Sequence, residues 1–390
     1  MKKKISILGA TGSIGVSALS IIDKKKFYFN IILLSSNKNF TLICKQIKKY
    51  KPKYYVVNDL KIYNKVKKKF KKSKVKIINA FNFKKKKIES DIVISAIPGI
   101  AGLNPTLNII DKTKKILLAN KESIICGWNL IEEKAKKNKT KIVPVDSEHF
   151  SIQQIIKNKK IEDIEKIYLT ASGGPFLNLK ISKLKKIKPK DALIHPKWKM
   201  GKKITIDSST LMNKIFELIE AHKLFNIPLN KLDILIHPNS LVHAIVKFKN
   251  GLTKLLYHDT SMIVPLANAI FDGNLLIKNF LNNSKKIKPN YFPDLIFKQP
   301  DLKIFPVIKV IKRINEFPST PIILNSVNEV LVDQFLQKNI PFLTISKIIM
   351  SIMNDRNYKK YAIKRPQNIY QIKSIDNWAR EITFKKLKKK

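Results

Sequence analysis

Residues 4–15 read KISILGATGSIG. KISILG, over 4–9, is a short apolar strand. Gly9 to Gly15 form a turn, and Val16 to Ile22 continue as a helix. Glycine lets the backbone turn sharply and approach a pyrophosphate closely. The helix N-terminus that follows offers free N–H groups to the anion. The spacing is GxxGxxG rather than GxGxxG, so the placement directly after a first strand carries the reading more than the pattern does. This start predicts a dinucleotide-binding domain.

Further apolar runs follow at FNIILLS (29–35), YYVVN (54–58), VKIIN (75–79), DIVISAI (91–97), KILLA (115–119) and KIVPV (141–145). Alternating with helical stretches, they predict an α/β fold: a Rossmann-like, doubly wound parallel sheet over residues 1–149. The rhythm then changes. Strands are expected at 164–170, 203–207 (KITID), 232–236 and 242–248, with a hairpin-like KNG at 249–251. Residues 150–272 therefore read as a central α+β catalytic domain. Residues 273–305, rich in Asn, Lys and Pro, read as a linker. Helical periodicity in NEVLVDQFLQ and TISKIIMSIM predicts a C-terminal helical bundle over 306–390.

Composition bounds the function. The chain has 390 residues and 44% hydrophobic residues, enough for several domains with a core. No uninterrupted apolar stretch reaches membrane-spanning length, and no export signal is read at the start, so no membrane association is expected. Cys44 and Cys126 are the only cysteines, which points to a reducing cytoplasm. The formal net charge is +49, but the lysines are scattered, and no arginine precedes Arg313. Arginine is the side chain best shaped for bidentate nucleic-acid contacts. The charge is therefore read as compositional bias, with no specific nucleic-acid partner.

The second strand ends in Ser35-Ser36-Asn37-Lys38-Asn39, and no acid occurs between Asp23 and Asp59. An NAD enzyme usually carries a carboxylate there for the ribose hydroxyls. Lys38 suits a 2′-phosphate instead, which favours NADP(H). Asp146-Ser147-Glu148 follows the last strand of this domain. Alternation in an extended segment is expected to put both carboxylates on one side, where hard cations such as Mg²⁺ or Mn²⁺ bind. Asn213, Lys214 and Glu217 begin an expected helix, and their spacing brings them near one another. Lysine and amide suit a phosphate; the carboxylate suits a metal. Ser172, in SGGP, adds a hydroxyl on a permissive backbone. His195, Trp198, Met200 and Gly201 share a loop-like segment. No zinc-ligand spacing occurs.

In order, GATGSIG, LLANKES, PVDSEH, TASGGPF, HPKWKMGKKITIDSSTLMNK and HPNSLVHA are similar to the motifs of the 1-deoxy-D-xylulose 5-phosphate reductoisomerases. The resemblance runs from residue 5 to about 250, with an echo at Asn325-Ser-Val-Asn328-Glu329. It implies conversion of 1-deoxy-D-xylulose 5-phosphate into 2-C-methyl-D-erythritol 4-phosphate, in the non-mevalonate route to isoprenoids. The carbon skeleton rearranges by retro-aldol cleavage and re-addition, and NADPH reduces the resulting aldehyde. The resemblance assigns the divalent metal to Asp146, Glu148 and Glu217. It puts Lys121, with Ser147 beside it, on the substrate's polar backbone. The phosphate falls to Ser172, Ser208, Asn213 and Lys214, with His195 and His243 at the substrate site and Trp198 in a closing loop. Cofactor contacts are implied at Thr11, Gly12, Ser13, Ile14, Asn37, Lys38, Asn39, Asn120, Glu122, Met200 and Gly201. Asn37 stands where the family often has Gly, and Thr260-Ser-Met-Ile263 stands for its Pro-Asp-Met-Arg. A homodimer is implied as well.

Two other readings compete. A semialdehyde-type dehydrogenase shares the glycine start but needs a nucleophilic cysteine; Cys126 is the nearest candidate, and it follows an apolar pair without an evident base. A basic nucleic-acid-binding protein on the same scaffold needs a clustered basic face with aromatic stacking residues.

Overall fold

The computed structural model describes residues 2–81, 88–198, 200–277 and 294–388. Two compact units emerge. The first comprises the chain up to Ser123, Gly127–Phe150 and a segment beginning at Ser261. The second comprises Ile124–Cys126, Ser151–Thr260 and the C-terminal part.

In the first unit the apolar runs form seven strands: β1 (Lys3–Leu8), β2 (Phe29–Ser36), β3 (Tyr54–Val57), β4 (Lys76–Ile78), β5 (Ser90–Ser95), β6 (Thr113–Leu118) and β7 (Lys141–Pro144). Their order is β4-β3-β2-β1-β5-β6-β7, and every pairing is parallel. The order reverses beside β1, so its carboxyl end is the switch point where such sheets bind ligands. The crossovers are α1 (Ser13–Lys24), α2 (Phe40–Tyr50), α3 (Leu60–Lys69), α4 (Leu103–Ile110) and α5 (Lys121–Lys137); α6 (Ser147–Ile155) follows β7. Ile5, Ile7, Leu34 and Ile94 are buried in the core, as strands covered on both faces require.

The second unit holds a four-stranded sheet of β8 (Ile164–Ala171), β9 (Leu232–Ile236), β10 (Val242–Phe248) and β11 (Thr253–Tyr257), ordered β11-β10-β8-β9. β8 and β9 are parallel; β10 runs antiparallel to both β8 and β11. The expected KNG turn joins β10 to β11, with Gly251 at φ 85°. Helices α7 (Pro189–Ala192), α8 (Lys202–Thr210) and α9 (Met212–Phe225) lie between β8 and β9 in the chain.

KITID is not a strand; it lies within α8. The hydroxyls of this segment fold back on the preceding turn. Thr205 Oγ1 donates to the Gly201 carbonyl at 2.9 Å and Ser209 Oγ to the Ile206 carbonyl at 2.8 Å. Ile206 is fully buried, so burial of this face outweighs the β-branched preference. Leu211, at φ 64°, ends α8 and starts α9.

The expected 150–272 boundary also shifts. α10 (Ile263–Phe271) belongs to the first unit. Leu266, Ala267 and Ile270 enter its core, Ile263 packs against that core, and Phe271 meets Phe29 edge to face at 5.5 Å. Residues 278–293 of the expected linker lie outside the described residues. The expected C-terminal helices are α11 (Thr320–Leu336), α12 (Thr344–Met353), α13 (Tyr358–Ala362) and α14 (Ile369–Lys388), preceded by a 3-10 segment at Pro306–Arg313. No described helix is long and apolar enough to cross a membrane.

Candidate active site

The glycine turn admits little besides glycine. Gly9 has φ 87°, and a Cβ there would lie 2.5 Å from the Ala96 carbonyl oxygen. A Cβ on Gly15 would lie 2.3 Å from the Gly9 oxygen and 2.6 Å from Ala10 Cα. Helix α1 starts at Ser13 with Gly12 at its cap and no side-chain capping bond. Gly12 and Ser13 are exposed. This is an open helix N-terminus at the switch point, and it fits a pyrophosphate.

At the end of β2, Asn37, Lys38 and Asn39 are exposed, so the Asn37 side chain lies in solvent rather than in the turn. Asn39 caps α2 by accepting from Leu42 N at 3.1 Å. Asn120 is 2% exposed. Its Oδ1 accepts from Ser123 N at 2.5 Å, and its Nδ2 donates to the carbonyls of Ile97 and Gly99. Both of its amide hydrogens are thus engaged by the protein's own main chain. Glu122 is buried in the first turn of α5.

Asp146 and Glu148 do approach one another, but not through strand alternation. Asp146 follows β7 and opens α6: its carbonyl accepts from Phe150 N at 2.8 Å. Glu148 is already in the first helical turn. A carboxylate oxygen of each lies within 4.8 Å of the other. Lys121 Nζ stands 3.3 Å from Asp146, and Ser147 Oγ donates to Glu148 at 2.7 Å. Close carboxylates repel unless a cation lies between them, and oxygen-only donors suit a hard divalent ion.

In the second unit, α9 carries Asn213, Lys214 and Glu217 on one face. Glu217 is 1% exposed; Asn213 Nδ2 donates to its Oε1, and Lys214 Nζ stands 2.5 Å from its Oε2. The expected i, i+1, i+4 grouping forms as described.

His195 joins two segments distant in sequence. Its Nε2 lies 3.1 Å from both Ser172 Oγ and Ser208 Oγ. Its Nδ1 accepts from Lys197 N at 3.2 Å and Trp198 N at 2.9 Å. With Nδ1 accepting, the ring proton sits on Nε2, facing the serines. Burial, and then the charge of Lys214, push the His195 pKa down to about 4. A neutral donor, two hydroxyls and a nearby ammonium suit a phosphate dianion.

Trp198 meets His243 edge to face at 6.0 Å, and His243 stacks on His258 at 3.8 Å between ring centroids. His243 Nε2 donates to the His258 carbonyl at 3.2 Å. Sequence reasoning passed over His258, because a single histidine carries no spacing signal. It also passed over Asp207, which is buried beside Ser208. Asp207 Oδ1 accepts from Asn328 Nδ2 at 2.7 Å, and Lys203 stands 3.2 Å from Oδ2. The echo at 325–329 held that signal. Met200 is half-buried and Gly201 exposed. Cys126 is 3% exposed, too enclosed for a nucleophile that must meet substrate.

Three family models match the chain. "1-deoxy-D-xylulose 5-phosphate reductoisomerase" covers residues 5–127, "1-deoxy-D-xylulose 5-phosphate reductoisomerase C-terminal domain" covers 142–225, and "DXP reductoisomerase C-terminal domain" covers 259–382. The chain is similar to the 1-deoxy-D-xylulose 5-phosphate reductoisomerase of Pelagibacter ubique, with 47% identity over 382 residues, 96% of this chain and 97% of that one. The reductoisomerase of a Wolbachia of Drosophila simulans is 42% identical over 90% of each chain. Among solved structures, the reductoisomerase from Zymomonas mobilis in complex with NADPH matches with TM-score 0.85 and 31% identity, over 99% of both chains. A DOX-P reductoisomerase in complex with NADPH, fosmidomycin and magnesium matches with TM-score 0.86 and 30% identity, over 99% of this chain and 98% of that one.

Proposed function

We propose residue roles from one premise: this chain belongs to the 1-deoxy-D-xylulose 5-phosphate reductoisomerase family. The activity is therefore the NADPH-dependent rearrangement and reduction of 1-deoxy-D-xylulose 5-phosphate to 2-C-methyl-D-erythritol 4-phosphate. NADPH and a divalent metal, the latter magnesium in the solved relatives, are its cofactors.

The observation that carries the reading of the substrate site is the convergence of Ser172 and Ser208 on the neutral His195. In our reading these three, with Asn213 and Lys214, hold the substrate phosphate. They act as a fixed set of donors and so anchor the sugar while its carbon skeleton rearranges. Asp146, Glu148 and Glu217 supply carboxylate oxygens to the divalent cation, which lends Lewis acidity to the substrate oxygens when bound. Lys121 and Ser147 orient the polar carbons. His243, braced by His258, lies against the substrate, and Trp198 excludes water. Thr11, Gly12, Ser13 and Ile14 present main-chain donors to the pyrophosphate; Asn37, Lys38 and Asn39 face the 2′-phosphate. Asn120 acts on the cofactor by holding the loop of Ile97 and Gly99. Glu122, Met200 and Gly201 complete the cofactor contacts.

The decisive test is NADPH oxidation with 1-deoxy-D-xylulose 5-phosphate, with and without Mg²⁺ or Mn²⁺. Metal-dependent absorbance loss is expected. Glu217→Gln should abolish turnover and spare NADPH binding; loss of NADPH binding instead would refute the division between cofactor and metal residues.

We also propose a homodimer and a cytoplasmic setting. β11 is the edge of the four-stranded sheet and exposes Leu255, with Leu252 exposed just before it. Such an edge favours a covering partner. Cys44 and Cys126 are both buried and not joined in a disulfide. Sedimentation of the full chain tests the first point.

A further inference from the structure

The glycine turn is held by more than glycine. Gly9 N donates to Ser35 Oγ at 3.0 Å, and Ala10 N donates to the Ser35 carbonyl at 2.7 Å. The carbonyl of Ala10 is also taken: Gln46 Nε2, from α2, donates to it at 2.7 Å. Both main-chain polar groups of the turn's second residue are thus fixed from outside the turn.

Gln46 is 3% exposed and is itself oriented. Its Oε1 accepts from Tyr55 OH at 2.7 Å, and Tyr55 OH lies 2.6 Å from Ser36 Oγ. A phenol has one proton to give. Since it goes to Gln46, Ser36 must donate to Tyr55. The opposite amide orientation would set Gln46 Oε1 against the Ala10 oxygen, two acceptors facing each other. Burial pushes the Tyr55 phenol pKa up, so it remains a donor across the physiological range. The order of protons is therefore unique: Ser36 to Tyr55, Tyr55 to Gln46, Gln46 to Ala10. At its far end Ser36 closes β2, and its carbonyl accepts from Asn58 N at 3.0 Å. The next residues are Asn37 and Lys38.

We propose that Gln46, aligned by Tyr55 and Ser36, is a positioning residue for NADPH: it sets the main-chain geometry of the pyrophosphate turn and couples it to the end of β2. This inference rests on the cofactor reading above. Gln46 and Tyr55 are fully enclosed, so they act through Ala10 and Ser36. A buried glutamine in a helix interior costs desolvation that an apolar residue of the same length avoids. Here that cost secures one orientation of a turn whose glycines would otherwise leave it loose.

The test uses the full chain as Gln46→Met, which keeps the length but removes both bonds, and as Tyr55→Phe. NADPH dissociation constants are measured by fluorescence titration and the KM for 1-deoxy-D-xylulose 5-phosphate by turnover. Amide hydrogen exchange of residues 9–15 is followed without cofactor, and thermal midpoints are recorded. Gln46→Met should weaken NADPH about tenfold, and Tyr55→Phe about threefold. The sugar-phosphate KM should stay within about twofold, while exchange in the turn accelerates. Folded Gln46→Met that binds NADPH like wild type overturns the inference. So does an equal loss of both substrates' affinities in both variants, which is general loosening. If Gln46→Met does not fold, unchanged NADPH affinity in Tyr55→Phe overturns it alone. A wild-type chain that fails to bind NADPH would instead remove the cofactor reading itself, and the inference with it.

Discussion

The two regions that we propose receive phosphate groups are built by opposite means. Residues 9–15 work by absence: two positions exclude a Cβ, the helix end lacks a side-chain cap, and the donors are main-chain N–H groups. The cluster of Ser172, His195, Ser208 and Lys214 would work by presence, with two hydroxyls from separate segments aimed by one imidazole and the charge of Lys214 nearby. A main-chain site is fragile to any added atom but indifferent to side-chain chemistry. A side-chain site tolerates small changes of shape but depends on where each proton sits.

The contrast is most sharply tested at Gly15. Gly15→Ala must move the backbone of Gly9 and Ala10, and should weaken NADPH by more than about 100-fold in titration, with the sugar-phosphate site intact. Retained affinity would mean the turn adapts, and the contrast would fail. Next is Lys214→Gln. It removes the charged donor that we assign to the phosphate and leaves Glu217 buried without that cation. We expect the sugar-phosphate KM to rise about 100-fold while NADPH affinity holds. Ser208→Ala removes one hydroxyl and should raise the same KM about tenfold; an unchanged KM would take Ser208 out of the phosphate set.

The smallest effect concerns pH. The folded His195 has a pKa near 4, below its ordinary 6.5. Between those values the unfolded chain binds a proton that the folded chain refuses. The residue's contribution is therefore complete above pH 6.5 and is lost as the pH falls from 6.5 towards 4. In His195→Gln the thermal midpoint should fall less steeply across that window; an identical slope would show that the imidazole is not held neutral.

The two regions also differ in how far the sequence exposes them. Gly9 and Gly15 are forced by backbone sterics within seven residues, so the turn, β1 and the parallel sheet were legible. Strand starts and ends fell within a few residues of expectation, because covered strands need continuous apolar runs. KITID misled because β-branched residues also line a buried helix face once their hydroxyls bond the preceding turn. Asp146 and Glu148 were rightly paired but for the wrong geometric reason: a helix start, not an extended chain, brings them close. α10 went to the wrong unit because apolar composition does not say which core receives it. Gln46, Tyr55 and His258 left no trace in any motif. Their partners lie 36, 9 and 15 residues away, and a lone polar residue at such a distance has no periodicity to betray it.

The missing cap on α1 has one more consequence. A helix end without its own acceptor is satisfied only by solvent or by a bound anion. A nucleotide seated there completes the secondary structure as well as serving the reaction. Stability gained that way grows with the logarithm of ligand concentration. The first unit's resistance to unfolding and to proteases should thus rise and fall with the supply of the nucleotide, oxidised or reduced, because both forms carry the same pyrophosphate, so that the enzyme's lifetime becomes a gauge of the total nucleotide pool it draws on.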